Sequence, residues 1–153
     1  MKKLFVFFLM IICFFMTGCG EDKTKVSLST DEFSDICSNN GFTVKDNSSA
    51  YEKYDYITGS KIASLNDIEI EMIQYTDSES AEKVLEGHID SFNLLKSSGA
   101  AEKNTKGDNY HKYFLVSNNR YMISVRVDDT VIFCKTMLTN KDKVDELFEK
   151  IGY

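Results

Sequence analysis

Near the end of the chain three apolar-rich runs, Tyr110 to Ser117, Arg120 to Val127 and Thr130 to Leu138, are separated only by the dipeptides Asn118-Asn119 and Asp128-Asp129. A two-residue connection can join strands only as an antiparallel hairpin, because parallel neighbours need a crossover of a dozen or more residues. Asn and Asp also tolerate the positive φ that tight hairpins demand. The turns therefore fix the register. Phe114 falls opposite Ile123, Val116 opposite Tyr121, Val125 opposite Ile132, and Ile123 opposite Cys134, which makes one apolar face. The other face carries Tyr113, Leu115, Met122, Val131 and Phe133, beside Arg126 and Lys135. An antiparallel sheet with one wet side does not normally hold so many large apolar groups. Either a helix covers this second face, giving an α/β/α sandwich, or it is an exposed patch that binds a partner or ligand.

Helices flank the meander. Ser29 and Glu32 form a capping box, with Leu28 and Phe33 as a hydrophobic staple. Phe33, Ile36 and Cys37 then share one face, and Asn40-Gly41 ends the helix. Phe42 and Val44 open a short strand. Lys45 to Tyr56 holds Tyr51, Tyr54 and Tyr56 in a polar stretch that suits a short helix or an ordered loop. Ile62 to Leu65, the turn Asn66-Asp67 and the alternation Ile68-Glu69-Ile70-Glu71-Met72 predict a hairpin. A long helix follows, capped by Thr76 or Asp77, with Ala81, Val84, Leu85, His88, Ile89, Phe92 and Leu95 as its stripe. Ala100 to Asn109 reads as a loop or weak edge strand. Asn140 caps a last helix whose stripe is Val144, Leu147, Phe148 and Ile151, ended by Gly152. The fold class is α+β: three helices against an antiparallel sheet of five to six strands, in the order α-β-β-β-α-β-β-β-α.

The N-terminus has a different character. Lys2 and Lys3 precede thirteen uncharged apolar residues, Leu4 to Met16, fewer than the roughly 20 that a spanning helix needs. The run Met16-Thr17-Gly18-Cys19 then resembles the lipobox of bacterial lipoproteins, with Met16 in place of the commoner leucine. The resemblance implies that residues 1–18 are a signal peptide and that the mature chain begins at a diacylated Cys19. Two acyl chains suffice for stable anchoring, so the expected partner is the membrane, met through the N-terminal lipid at its extracytoplasmic face. Residues 19–27 read as a lipidated tether and 28–153 as a single domain.

Charge narrows the function classes. The 24 acidic residues all lie beyond the signal, against 16 basic ones once Lys2 and Lys3 are removed, a net charge of −8. Nucleic acid and anionic surfaces would repel such a domain. Of the four cysteines only Cys37 and Cys134 stay available. In an exported protein they could form a disulfide, or remain two buried free thiols. No metal-ligating or catalytic motif is legible. His88 sits within an apolar stripe and His111 at the start of a strand. Glu69 and Glu71, two apart on a strand, read as a solvated edge. Ser29 is a helix cap rather than a nucleophile, and no cofactor fingerprint is present. The tyrosines at 51, 54 and 56 could bind glycan or peptide by stacking, or pack over the sheet edge.

The Asp-Ser-Glu-Ser-Ala-Glu helix start (residues 77–82) and the Met-Ile-Ser-Val-Arg-Val-Asp-Asp-Thr-Val-Ile hairpin (residues 122–132) resemble small lipoprotein domains of Gram-positive bacteria. The element order is similar to that of the PsbP/Mog1-like sandwiches. The resemblance implies a binding or assembly module. The first reading is a non-catalytic binding or interaction domain whose partner is an envelope protein or small ligand, with the apolar second face counted above, Tyr113, Leu115, Met122, Val131 and Phe133, as its contact face. An envelope-acting enzyme and a small solute-capture lipoprotein are the alternatives.

Overall fold

The computed structural model describes residues 23–153, so the expected signal peptide and Cys19 lie outside the described residues. Ten main elements follow one another: α1 (Thr30–Asn39), β1 (Thr43–Asp46), β2 (Ile57–Leu65), β3 (Ile68–Tyr75), α2 (Ser78–Asn93), β4 (Ala101–Lys106), β5 (Tyr110–Ser117), β6 (Arg120–Val127), β7 (Thr130–Met137) and α3 (Lys141–Ile151). Short 3₁₀ turns at Ser48–Tyr51 and Leu138–Asn140 complete the chain. All seven strands join one antiparallel sheet in the order β1-β2-β3-β7-β6-β5-β4.

The class is the expected α+β, with seven strands instead of five to six because a polar segment also pairs, and one expected strand is longer. Ala101–Lys106 becomes the edge strand β4. β2 starts five residues early, at Ile57, and its register against β3 shifts between Ile57 and Gly59, leaving Thr58 as the extra residue of a bulge. The meander register matches the counted one at all four pairs: Phe114 with Ile123, Val116 with Tyr121, Val125 with Ile132 and Ile123 with Cys134. Asn118 and Asn119 both take positive φ, whereas at the second turn only Asp128 does.

The two helix starts follow their sequence signals. Ser29 Oγ accepts the Glu32 N–H and the Glu32 carboxylate accepts the Ser29 N–H, closing the capping box. Asp77 accepts the Ser80 N–H at 2.7 Å. Two expected details differ. Asn140 makes no cap bond to α3, because its amide donates instead to Asp67 and Thr136. Leu95 does not join the α2 stripe. The helix ends at Asn93 and its last turn tightens, Leu95 N–H donating to Phe92 O, which leaves Leu94 87% exposed.

Three layers result. α1 and α3 pack on one face of the sheet, where Phe33, Cys37, Val144 and Phe148 meet Ile70, Ile123, Ile132 and Cys134. α2 packs on the other face, mainly over β6, β7 and β3, and buries Ala81, Leu85 and Phe92. Enclosing one such leucine contributes about 1.5–3 kcal/mol.

The segment expected to be a tether is bound to the domain over its last residues. Asp108 N–H donates to Lys23 O at 2.7 Å. Lys25 N–H donates to Asn109 Oδ1, and Asn109 Nδ2 donates back to Lys25 O, at 2.9 and 2.8 Å. Lys25 Nζ reaches Gly152 O at 2.9 Å, and Leu28 N–H donates to the Tyr153 hydroxyl. Residues 23–28 thus form a strap across the β4–β5 and β6–β7 loops. Gly107 lets the strap pass. A Cβ there would lie 2.5 Å from Lys23 O and 2.1 Å from the Tyr110 ring.

Candidate functional site

The second face of the sheet carries a row of side chains across four strands, Glu71, Phe133, Ser124 and Tyr113, each opposite the next. α2 lies over this row. Tyr113, Leu115, Met122 and Val131 are buried beneath it, so these four residues of the expected contact face form an internal layer. Phe133 alone stays half-buried. The apolar excess on this face is explained by the covering helix, the first of the two arrangements that the sequence allowed.

Two polar clusters, and a hydrogen bond from the Tyr113 hydroxyl to Asn93 Oδ1, fasten α2 to the sheet. In the first, His88 Nδ1 lies 2.9 Å from Ser124 Oγ and its ring centroid 4.7 Å from that of Phe133. Burial holds His88 below its ordinary value, with the Glu71 charge a weaker opposing influence. A Ser–His contact invites comparison with a nucleophile and its base. Ser124, however, is 0% exposed in the middle of a paired strand, so no substrate atom can approach its Oγ. Glu71, expected to face water, accepts from Asn47 Nδ2, the Tyr51 hydroxyl and Ser60 Oγ at 2.8–2.9 Å through one oxygen. It anchors the Ser48–Tyr51 turn, and the Tyr51 phenol is pushed up to about 12 by burial first and then by Glu71.

The second cluster is ionic. Glu82 on α2 faces His111 Nδ1 at 3.1 Å, Lys106 Nζ at 3.6 Å and Arg126 Nε at 2.6 Å. The Arg126 Nε–H does not point along the line to Glu82 Oε2, so that contact is a close ion pair without a hydrogen bond. Burial alone would raise the Glu82 carboxyl, but the His111 hydrogen bond and the charges of Arg126, His111 and Lys106 outweigh it, and the net shift is downward. His111 Nε2 lies 2.8 Å from the Asn104 amide. Burial comes first in holding His111 below its ordinary value. A neutral imidazole has one donor and one acceptor, so with Glu82 Oε1 facing Nδ1 and Asn104 Oδ1 facing Nε2, its single N–H serves only one of the two oxygens at a time. The Arg126 guanidinium continues outward to the carbonyls of Asn109 and Asp128. One chain of contacts therefore links α2 to the loops that hold the strap. Each member is occupied by another, which makes the cluster a fastening.

Surface clefts are lined by described residues at two places. One, of about 160 Å³, is lined by Lys112, Phe114, Tyr121, Asp145 and Glu149. Three of its polar groups are matched internally: the Tyr121 hydroxyl donates to Asp145 at 2.6 Å, and Lys112 Nζ donates to the Tyr153 carbonyl. The other, of about 320 Å³, is lined by Asp67, Arg120, Lys135, Thr136 and Met137. It continues the open part of the second face past Phe133, at the end of the sheet formed by the β2–β3 and β5–β6 turns. Arg120 and Lys135 are exposed and form no ion pair among the described residues, although most lysines of the domain close on a carboxylate or carbonyl. Met137 beside them is 44% exposed. Sequence reading placed Lys135 next to the contact face but did not single out Arg120 or Met137. The signal was available, since Arg120 opposes Met137 two pairs beyond Met122 and Lys135, on the same face of the sheet.

Cys37 and Cys134 lie in the same core cluster as free thiols rather than a disulfide, each pushed up to about 12 by burial. Among the described residues no group of three His, Cys, Asp or Glu side chains is placed to hold a metal ion. No helix there is long and apolar enough to cross a membrane.

No known protein family and no curated protein matches the chain. Among solved structures, it is similar to the crystal structure of a GTP binding regulator from Thermotoga maritima. The two share 15% identity at a TM-score of 0.47, over 81% of this chain and 84% of that one. A likeness at that level carries no argument about fold or function.

Proposed function

We propose that this chain is a lipid-anchored, extracytoplasmic binding domain without catalytic activity. Its address rests on the Cys19 lipobox, and its role is to dock an envelope protein or small ligand. The observation that carries the binding role is the pair Arg120 and Lys135. Two cations with no ion pair among the described residues, beside an exposed Met137 on a domain of net negative charge, favour a partner that brings an anionic group next to an apolar one. The open strip from Phe133 to Met137 takes the place of the buried face as the docking surface.

The test is photo-crosslinking in the native membrane from a reactive side chain at Thr139, an exposed position two residues beyond Met137. A discrete adduct is expected from the wild-type background, and Arg120→Glu with Lys135→Glu should abolish it without lowering Tm. An adduct that survives the double charge reversal, or none in either background, sinks this assignment of the surface.

A further inference from the structure

We infer that the domain stands on the bilayer in one orientation, with the end of the sheet at the β4–β5 and β6–β7 loops turned to the lipid and the Arg120–Lys135 cleft turned away. This rests on the lipid anchor proposed at Cys19. Three residues, Gly20-Glu21-Asp22, separate Cys19 from Lys23, the first residue seen bound to the domain. Even fully extended, those four steps span at most about 14 Å. Lys23, Lys25, Ser27 and Leu28 are each hydrogen-bonded to the loops or to the C-terminal Gly152-Tyr153. The lipid can therefore lie only near that end. β5, β6 and β7 have eight residues each, which at about 3.3 Å per residue puts the opposite turns roughly 26 Å further out.

The chemistry of the near end suits a bilayer interface. Tyr54 and Tyr56 are 48% and 39% exposed, with ring centroids 5.6 Å apart. Tyr56 stacks on Tyr75, and its carbonyl accepts the Thr76 N–H where β3 ends, which fixes the pair at this end of the sheet. Tyrosines with an apolar ring and a wet hydroxyl favour the headgroup layer. Asp55, Asp108 and Asp128 share this end with Lys23, Lys25 and Lys53, so attraction to anionic lipid is not the driving force. The partner that fits is a neutral, zwitterionic headgroup surface.

The chain contains no tryptophan, so one introduced indole is the sole reporter. The lipidated full-length protein carrying Tyr54→Trp, Lys53→Trp or Lys135→Trp is reconstituted into phosphatidylcholine vesicles bearing a nitroxide on the headgroup. Emission from Tyr54→Trp and Lys53→Trp should fall at least twofold relative to nitroxide-free vesicles, and that from Lys135→Trp should not change. Adding Asn109→Ala, which removes the clamp on Lys25, should shrink the contrast. Equal quenching at the two ends of a protein that floats with the vesicles overturns the orientation alone. A protein that carries no lipid on Cys19 and does not float overturns the anchor reading, and the orientation with it.

Discussion

Gly107→Ala tests whether the strap is built into the fold. Gly107 does not have a left-handed φ, so alanine meets no backbone strain there. The cost is contact. The added methyl would sit 2.1 Å from Tyr110 Cε1 and 2.5 Å from Lys23 O, where carbon contacts settle near 3.5–4.0 Å. Either the buried Tyr110 ring or the strap must give way by more than 1 Å. Overpacking of that size costs about 1–3 kcal/mol, and the smaller unfolded-state entropy of alanine returns about 0.4–1 kcal/mol. If the strap lifts instead, it forfeits its bonds to Asp108 and Asn109 at about 1 kcal/mol each, less the freedom it regains. A net loss of about 1–2 kcal/mol should lower Tm by roughly 3–10 °C for a domain of this size. Thermal melts of soluble protein starting at Gly20 would measure it, with hydrogen exchange at the Asp108 amide reporting on the strap. The decisive comparison repeats the substitution in protein starting at Val26, where Lys23 O is gone and Tyr110 has room to move. The cost should fall there by about 1 kcal/mol or more. The same cost in both backgrounds would refute the argument that the strap requires the glycine.

Two further outcomes follow from buried groups. His88 and His111 are both held below 6.5, by burial first. As pH falls through about 6.5 the unfolded imidazoles take up protons that the folded ones resist, so stability is complete above that pH and declines toward the lower folded values. Tm should be lower at about pH 5 than at about pH 7.5, and His88→Gln with His111→Asn should flatten that slope. No change in Tm over the interval in the wild type would contradict the assignment. In soluble protein starting at Gly20, Cys37 and Cys134, pushed up to about 12, should resist a thiol reagent at neutral pH until the protein unfolds and then react in a ratio of two per chain. An intact mass short by two hydrogens in the exported protein would show them bonded instead.

The sheet was legible where backbone geometry left one choice. Two-residue turns at Asn118-Asn119 and Asp128-Asp129 permit a single register, and strict alternation then assigns Phe114, Ile123 and Cys134 to one face. Whether α2 covered the other face was not legible, because the stripe through Ala81, Leu85 and Phe92 suits either side of a sheet. His88 looked anomalous in that stripe only because its partner, Ser124, belongs to a strand 36 residues away. β4 was ambiguous for a similar reason. Its polar residues Glu102 and Asn104 are matched by Tyr113 and His111, pairings with no local periodicity. The strap left least trace, since Lys-Thr-Lys-Val-Ser bonds mainly to loop backbone and one asparagine. The cleft at Arg120 and Lys135 owes its character to missing partners, which a sequence cannot display.

The position of β7 governs how the chain can be assembled. It is the last strand to be synthesised, yet it occupies the centre of the sheet, where it alone joins the β1-β2-β3 meander to β4-β5-β6. Its pairing of Ile70 with Cys134 closes a loop of about sixty residues, the kind of distant contact that slows folding. Until β7 emerges, β3 and β6 each present an apolar, unpaired edge open to pairing with another chain. Synthesis interrupted before Thr130 would leave two sticky half-sheets, and a chaperone that shields those edges would matter more to this protein than its modest size suggests.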